Sequence, residues 1–129
     1  MHCVEGGNEK PPQHNLSVFG CLGAIGANAE DVTHMKRTAD SLFGKQYRWS
    51  VHGAGRNQLP VATQSVAMGG NLRVGLEDSL WLGPGTLAES NAAQVRAAVQ
   101  IIEGLGLEVA TPDDAREILG LKGRNDVGF

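Results

Sequence analysis

The sequence predicts an α/β protein made of βα units with parallel strands. Three observations carry that prediction. Apolar runs of strand length alternate with stripes of helical period, and glycine-rich loops follow the runs. Run plus stripe repeats at about 25 to 30 residues, the span that a parallel crossover needs. Three such strands make either a small doubly wound sheet or one arc of a (β/α)8 barrel, a fold of roughly 250 residues. The length of 129 residues favours the first, and the motifs described below favour the second.

Residues 1 to 13 form a polar leader with Gly6-Gly7 and Pro11-Pro12 and no apolar periodicity, which predicts a mobile or extended segment. Asn15 to Phe19 reads as a buried strand, closed by Gly20 and followed by Gly23 and Gly26. Asn28 and Asp31 mark a helix start, and Val32, Met35, Ala39 and Leu42-Phe43 give its apolar stripe up to Gly44. Tyr47 to Val51 reads as the second strand. Pro60 then opens a helix through Met68, stopped by Gly69-Gly70.

The third strand is predicted over Asn71 to Glu77, with Asp78 just beyond it. Leu82-Gly83-Pro84-Gly85 reads as a turn-rich loop. Ser90 or Asn91 caps a helix whose buried face is Ala93, Val95, Ala98, Ile101 and Ile102, with Gly104 ending it. Glu108 to Ala110 reads as extended. Thr111-Pro112-Asp113-Asp114 starts a last helix that ends near Gly120, and 123 to 129 is a polar tail.

Eleven basic residues against 14 acidic give a formal charge of −3, which excludes a chain-wide attraction to nucleic acid or anionic membrane. No apolar run approaches the ~20 residues of a membrane helix, and the N-terminus lacks a signal-peptide core. A cytoplasmic protein is expected. Cys3 and Cys21 form no CxxC, so both are expected to be reduced and of minor structural weight.

Two stretches carry candidate chemistry. Strand alternation would put Arg73, Gly75 and Glu77 on one face, with Asp78 turning to the same mouth at the carboxyl end, where α/β proteins bind ligands. The competing reading is a structural Arg–Glu pair. His52-Gly53-Ala54-Gly55-Arg56 lies between a strand and a helix, where backbone N–H groups and Arg56 could cradle a phosphate. It is not a dinucleotide fingerprint, because Gln58 stands where the third glycine should be. A tight turn with an exposed arginine is the plainer alternative. Trp49 and Trp81 are expected in the core or on a rim, and His14 and His34 have no ligand set around them.

Trp49-Ser50-Val51, the run Gly53 to Pro60, Met68 to Asp78, Leu87-Ala88 with Ser90-Asn91-Ala92, and Val109-Ala110-Thr111-Pro112 together resemble the β-keto acid cleavage enzymes, after Pro12 almost throughout. The resemblance implies a zinc-dependent (Zn2+) (β/α)8 TIM barrel that condenses a β-keto acid with acetyl-CoA, giving acetoacetate and a new CoA thioester. It implies Glu77 as a zinc ligand, Asp78 as general base and Arg73 as the residue that orients that base. Gly53, Gly55 and Arg56 are the matching candidates for contacts to CoA.

The family's His-x-His zinc ligands are absent from this sequence. About three of eight βα units are present, over residues 14 to 122. The expectation is therefore a C-terminal part of the barrel, inactive alone or completed by an N-terminal half-barrel chain or a homo-oligomer. The alternative is a small α/β phosphate- or CoA-binding module, or an assembly subunit without catalysis.

Overall fold

The computed structural model describes residues 12–121. Strand β1 (Gln13–Phe19), helix α1 (Ala29–Phe43), strand β2 (Tyr47–Gly53), helix α2 (Gln58–Ala67) and strand β3 (Asn71–Leu72) follow in order. A short antiparallel hairpin, β4 (Trp81–Gly83) and β5 (Thr86–Leu87), precedes helices α3 (Asn91–Gly104) and α4 (Pro112–Leu119). Strands β1, β2 and β3 form one parallel sheet in that order, so the predicted α/β class and strand direction are present.

Local chemistry sets the helix starts. Asn28 Oδ1 accepts from the Asp31 N–H at 2.9 Å, and Ser90 Oγ accepts from the Ala93 N–H at 3.2 Å, each satisfying a donor that the first helical turn leaves free. Thr111 and Asp114 cap α4 reciprocally, with Pro112 in its first turn. Hydrogen bonds from the Thr111 side chain and backbone hold the Asp114 carboxyl below its ordinary range.

Several boundaries differ from the expectation. The third strand ends at Leu72 instead of running to Glu77. Arg73 still donates to the Val51 carbonyl at 2.9 Å. Beyond that bond the chain folds into a turn, with the Asp78 N–H on the Gly75 carbonyl at 3.1 Å. The Leu82 to Gly85 loop is the tip of the hairpin, and Glu108 to Ala110 forms no strand. Gln13 belongs to β1 and not to a leader. Gly104 lies within α3, and the turn that closes the helix uses Gly106 at φ +73°. The readings of 1 to 11 and of the tail lie outside the described residues.

Phe19, Tyr47, Trp49 and Val51 project from one face of the sheet into a cluster with Val32 and Ala39 of α1 and Val61 of α2. Gly70 lets the chain pass close over this cluster. The opposite face is different. Register pairs Leu16 with Ser50 and Val18 with His52, and residues paired this way in a parallel ladder share a side. There Leu16 is 42% and Val18 38% exposed, although parallel sheets are ordinarily covered on both faces.

No helix among the described residues is long and apolar enough to cross a membrane. Cys21 is a free, exposed thiol, and Cys3 lies outside the described residues.

Candidate functional site

The carboxyl ends of β2 and β3 bring together His52, Arg73, Glu77 and Asp78. Arg73 follows β3 and reaches forward around the Gly75–Asp78 turn. Its Nε donates to Asp78 Oδ2 at 2.9 Å, and its Nη2 to Asp78 Oδ1 at 3.2 Å and to Glu77 Oε2 at 2.9 Å. The two carboxylates are not equivalent. The Asp78 side chain is 5% exposed, whereas that of Glu77 is 84% exposed. A fork of two N–H donors on one buried carboxylate fixes its orientation, and the charge of Arg73 offsets the loss of hydration.

The expected alternation of Arg73, Gly75 and Glu77 along one strand face therefore does not occur. A turn brings Arg73 and Asp78 together instead, and Glu77 meets Arg73 from the solvent side.

His52 completes the cluster from β2. Its Nε2 is 3.0 Å from Asp78 Oδ1 but makes no aligned hydrogen bond. The β2–α2 loop is joined to the same carboxylate's backbone, since the Gly55 N–H donates to the Asp78 carbonyl at 2.8 Å. Gly53 is buried beneath this loop. A Cβ there would lie 2.6 Å from the Asn57 carbonyl oxygen and 3.0 Å from Val61, so close packing of loop on strand requires glycine.

A buried amide relay supports the turn from below. Gln58 and Gln94 are both fully buried. Gln58 Oε1 accepts from the Gly75 N–H at 3.0 Å, and its Nε2 donates to Gln94 Oε1 at 3.0 Å. Gln94 Nε2 in turn donates to the Ser79 carbonyl. Asn91 Oδ1 takes the Leu76 N–H at 2.8 Å. The sequence marks Asn91 only as a possible helix cap, Gln58 only as a break in a glycine pattern, and Gln94 not at all. The signal was a glutamine on an apolar helix stripe: Gln94 lies one helical turn before buried Ala98, and the expected Val95 is 50% exposed.

Beside the cluster, a cleft of about 910 Å³ opens between the β2–α2 loop and the hairpin. Gly55, Arg56, Leu59, Pro60, Trp81 and Leu82 are among its lining residues, and most of its wall is apolar. Arg56 is exposed and has no acidic partner among the described residues. Trp49 is in the core, Trp81 is on the cleft rim, and His34 is exposed on α1. His14 Nε2 lies 2.6 Å from Ser50 Oγ.

Among the described residues, no three His, Cys, Asp or Glu side chains gather as a metal-ligand set. Catalytic zinc takes three protein ligands, so these residues do not fit the ion by themselves.

Parallel βα units with an arginine-held carboxylate at the strands' carboxyl ends define an α/β protein with an acidic site where such folds bind ligands. The particular family follows from comparison. Residues 1–121 match the β-keto acid cleavage enzyme family, and the chain belongs to it. It is 62% identical to a 3,5-dioxohexanoate:acetyl-CoA acetone transferase of Paraburkholderia graminis, over 99% of this chain and 41% of that protein. It is 39% identical to a 3-keto-5-aminohexanoate cleavage enzyme of Fusobacterium nucleatum subsp. nucleatum, over 86% of this chain and 39% of that protein. A 3-oxoadipate:acetyl-CoA acetyltransferase of Cupriavidus necator is 47% identical over 84% and 38% respectively. The chain spans about two fifths of the length of these relatives.

Proposed function

We propose that this chain supplies the last three βα units of a (β/α)8 barrel that exchanges an acyl group between a β-keto acid and acetyl-CoA, releasing acetoacetate and a new CoA thioester. The observation that carries the reading is the Asp78 carboxylate, 5% exposed and held by the Arg73 fork at the carboxyl end of the parallel sheet. The open sheet face supports the barrel. Leu16 and Val18 would be covered by facing strands from outside residues 1–129, on the same polypeptide, on an N-terminal half-barrel chain or on a further copy.

In this reading Asp78 takes the proton from the carbon between the keto and carboxylate groups of the substrate. The electron pair left on that carbon attacks the acetyl thioester carbonyl. The CoA thiolate expelled from that carbonyl then attacks the substrate's own keto carbonyl, the bond from that carbonyl to the central carbon breaks, and the central carbon takes back the proton held by Asp78, leaving acetoacetate and the new CoA thioester. Arg73 holds the base in one orientation so that its approach to the C–H is set before substrate arrives.

Glu77 offers one carboxylate to zinc, with the remaining ligands supplied from elsewhere. Gly53 and Gly55 shape the loop next to the base, Arg56 meets the CoA phosphates, and the apolar cleft takes the pantetheine arm. That cleft also favours a second reading, a CoA-binding module without turnover.

The test uses the protein purified with whatever polypeptides accompany it. Acetyl-CoA and a panel of β-keto acids are supplied, and new CoA thioesters are read by mass spectrometry. Turnover is expected, with Arg56→Ala raising the KM for acetyl-CoA about tenfold and leaving the keto acid KM unchanged. CoA binding without any new thioester would favour the module, and neither binding nor turnover would refute both.

A further inference from the structure

We infer that His52 is a positioning residue for Asp78, a role that rests on the assignment of Asp78 as base. Three observations combine. His52 is on the open face of the sheet at the carboxyl end of β2, in register with Val18. Its side chain is 13% exposed, and Nε2 is fully enclosed 3.0 Å from Asp78 Oδ1. That nitrogen has no aligned hydrogen bond, which is uncommon for a buried polar atom.

A lone-pair count on Asp78 shows what this contact does. A carboxylate oxygen accepts about two hydrogen bonds. Oδ1 faces two donors, Arg73 Nη2 and His52 Nε2, whereas Oδ2 receives one, Arg73 Nε. Among the described residues Oδ2 is therefore the oxygen with capacity left, and it is the atom that takes the substrate proton. His52 and Arg73 grip the carboxylate from β2 and from the end of β3, and together they stop Oδ1 and Oδ2 from exchanging places.

The contact of His52 with Asp78 is close but unaligned, and it tightens into a hydrogen bond as substrate fills the open face, as hydrogen bonds at catalytic groups commonly do. Nε2 carries the proton in this arrangement, because only a donor can satisfy a carboxylate that already accepts from arginine. Glutamine at this position has a side-chain N–H of comparable reach, and phenylalanine keeps the ring without the donor.

Two measurements test the inference. The first is steady-state turnover of a β-keto acid with acetyl-CoA in the natively assembled protein. His52→Phe is expected to lower kcat by about 10- to 100-fold with the keto acid KM within about threefold, and His52→Gln to recover most of the loss. Wild-type kcat in His52→Phe, or His52→Gln as slow as His52→Phe, overturns the inference. The second is the imidazole ¹⁵N spectrum, which needs no turnover. Asp78→Asn should move the His52 Nε2 resonance and leave those of His14 and His34 in place, and an unmoved His52 signal overturns the inference. Absence of turnover in the wild type would defeat the proposed function alone, and the spectrum would then decide whether His52 and Asp78 are coupled.

Discussion

Replacing Gln58 by leucine removes the centre of the amide relay while nearly keeping side-chain volume. Gln58 gives up two bonds, one from the Gly75 N–H and one to Gln94 Oε1, both at 3.0 Å. The two partners lose their bonds inside the protein, and each orphaned group costs ~1–3 kcal/mol. Leucine regains ~1–2 kcal/mol by burying more apolar surface. The expected net loss is about 2–3 kcal/mol.

Gln94→Leu should cost a similar amount, since it orphans the Ser79 carbonyl and Gln58 Nε2. The double variant distinguishes a relay from two independent contacts. The singles orphan two groups each, but the double orphans only Gly75 N–H and the Ser79 carbonyl, because the Gln58–Gln94 bond vanishes with both partners. Urea denaturation followed by circular dichroism should show the double variant no less stable than either single by more than ~1 kcal/mol. Additive losses, or singles within ~0.5 kcal/mol of wild type, would refute the relay.

Gly70→Ala is expected to cost about 1–3 kcal/mol, since the added Cβ would lie 2.6 Å from Trp49 Cε3 and 2.5 Å from Ser65 Oγ in a closed core. Gly104→Ala meets nothing within 4 Å inside α3 and should gain ~0.5–1 kcal/mol, so opposite signs in the same urea assay check the packing. Asp40 accepts from Lys36 and Tyr47, and the Lys36 bond first, then the Tyr47 bond, holds its carboxyl below the ordinary 3.8. A depressed carboxyl contributes stability that is present above the unfolded value and lost as pH falls through the folded one. The stability advantage of wild type over Asp40→Asn should therefore shrink as pH drops below about 4, and an advantage that grows on acidification would contradict the assignment.

The sequence was most informative where a few neighbouring residues decide the structure. Asn28 with Asp31, Ser90 before the alanine-rich stripe, and Thr111-Pro112 each satisfy free N–H groups locally, and all three helices begin there. The parallel strands were also legible, because Phe19, Trp49 and Val51 need cover that only crossover helices provide. Failures came where distant groups decide. The run from Arg73 to Glu77 has strand composition. Its fate depended on how far β2 could pair with it, and on Gln58 and Asn91 offering better acceptors to Gly75 and Leu76. The same turn separated two adjacent carboxylates, burying Asp78 and exposing Glu77, a distinction that composition does not carry. His52 was visible as part of a glycine-rich loop, but its approach to Asp78 is a tertiary contact across 26 residues.

The central claim is that the buried carboxylate of Asp78 is the base for chemistry on a β-keto acid. The most direct test supplies ¹³C-acetyl-CoA and a β-keto acid to the natively assembled protein and follows labelled acetoacetate, comparing wild type with Asp78→Asn. Asparagine keeps the shape and loses the proton acceptor. Labelled acetoacetate should form in the wild type and fall by about 10²- to 10⁴-fold in the variant, with keto acid affinity retained. Equal rates of labelled acetoacetate formation in the two proteins would contradict the account.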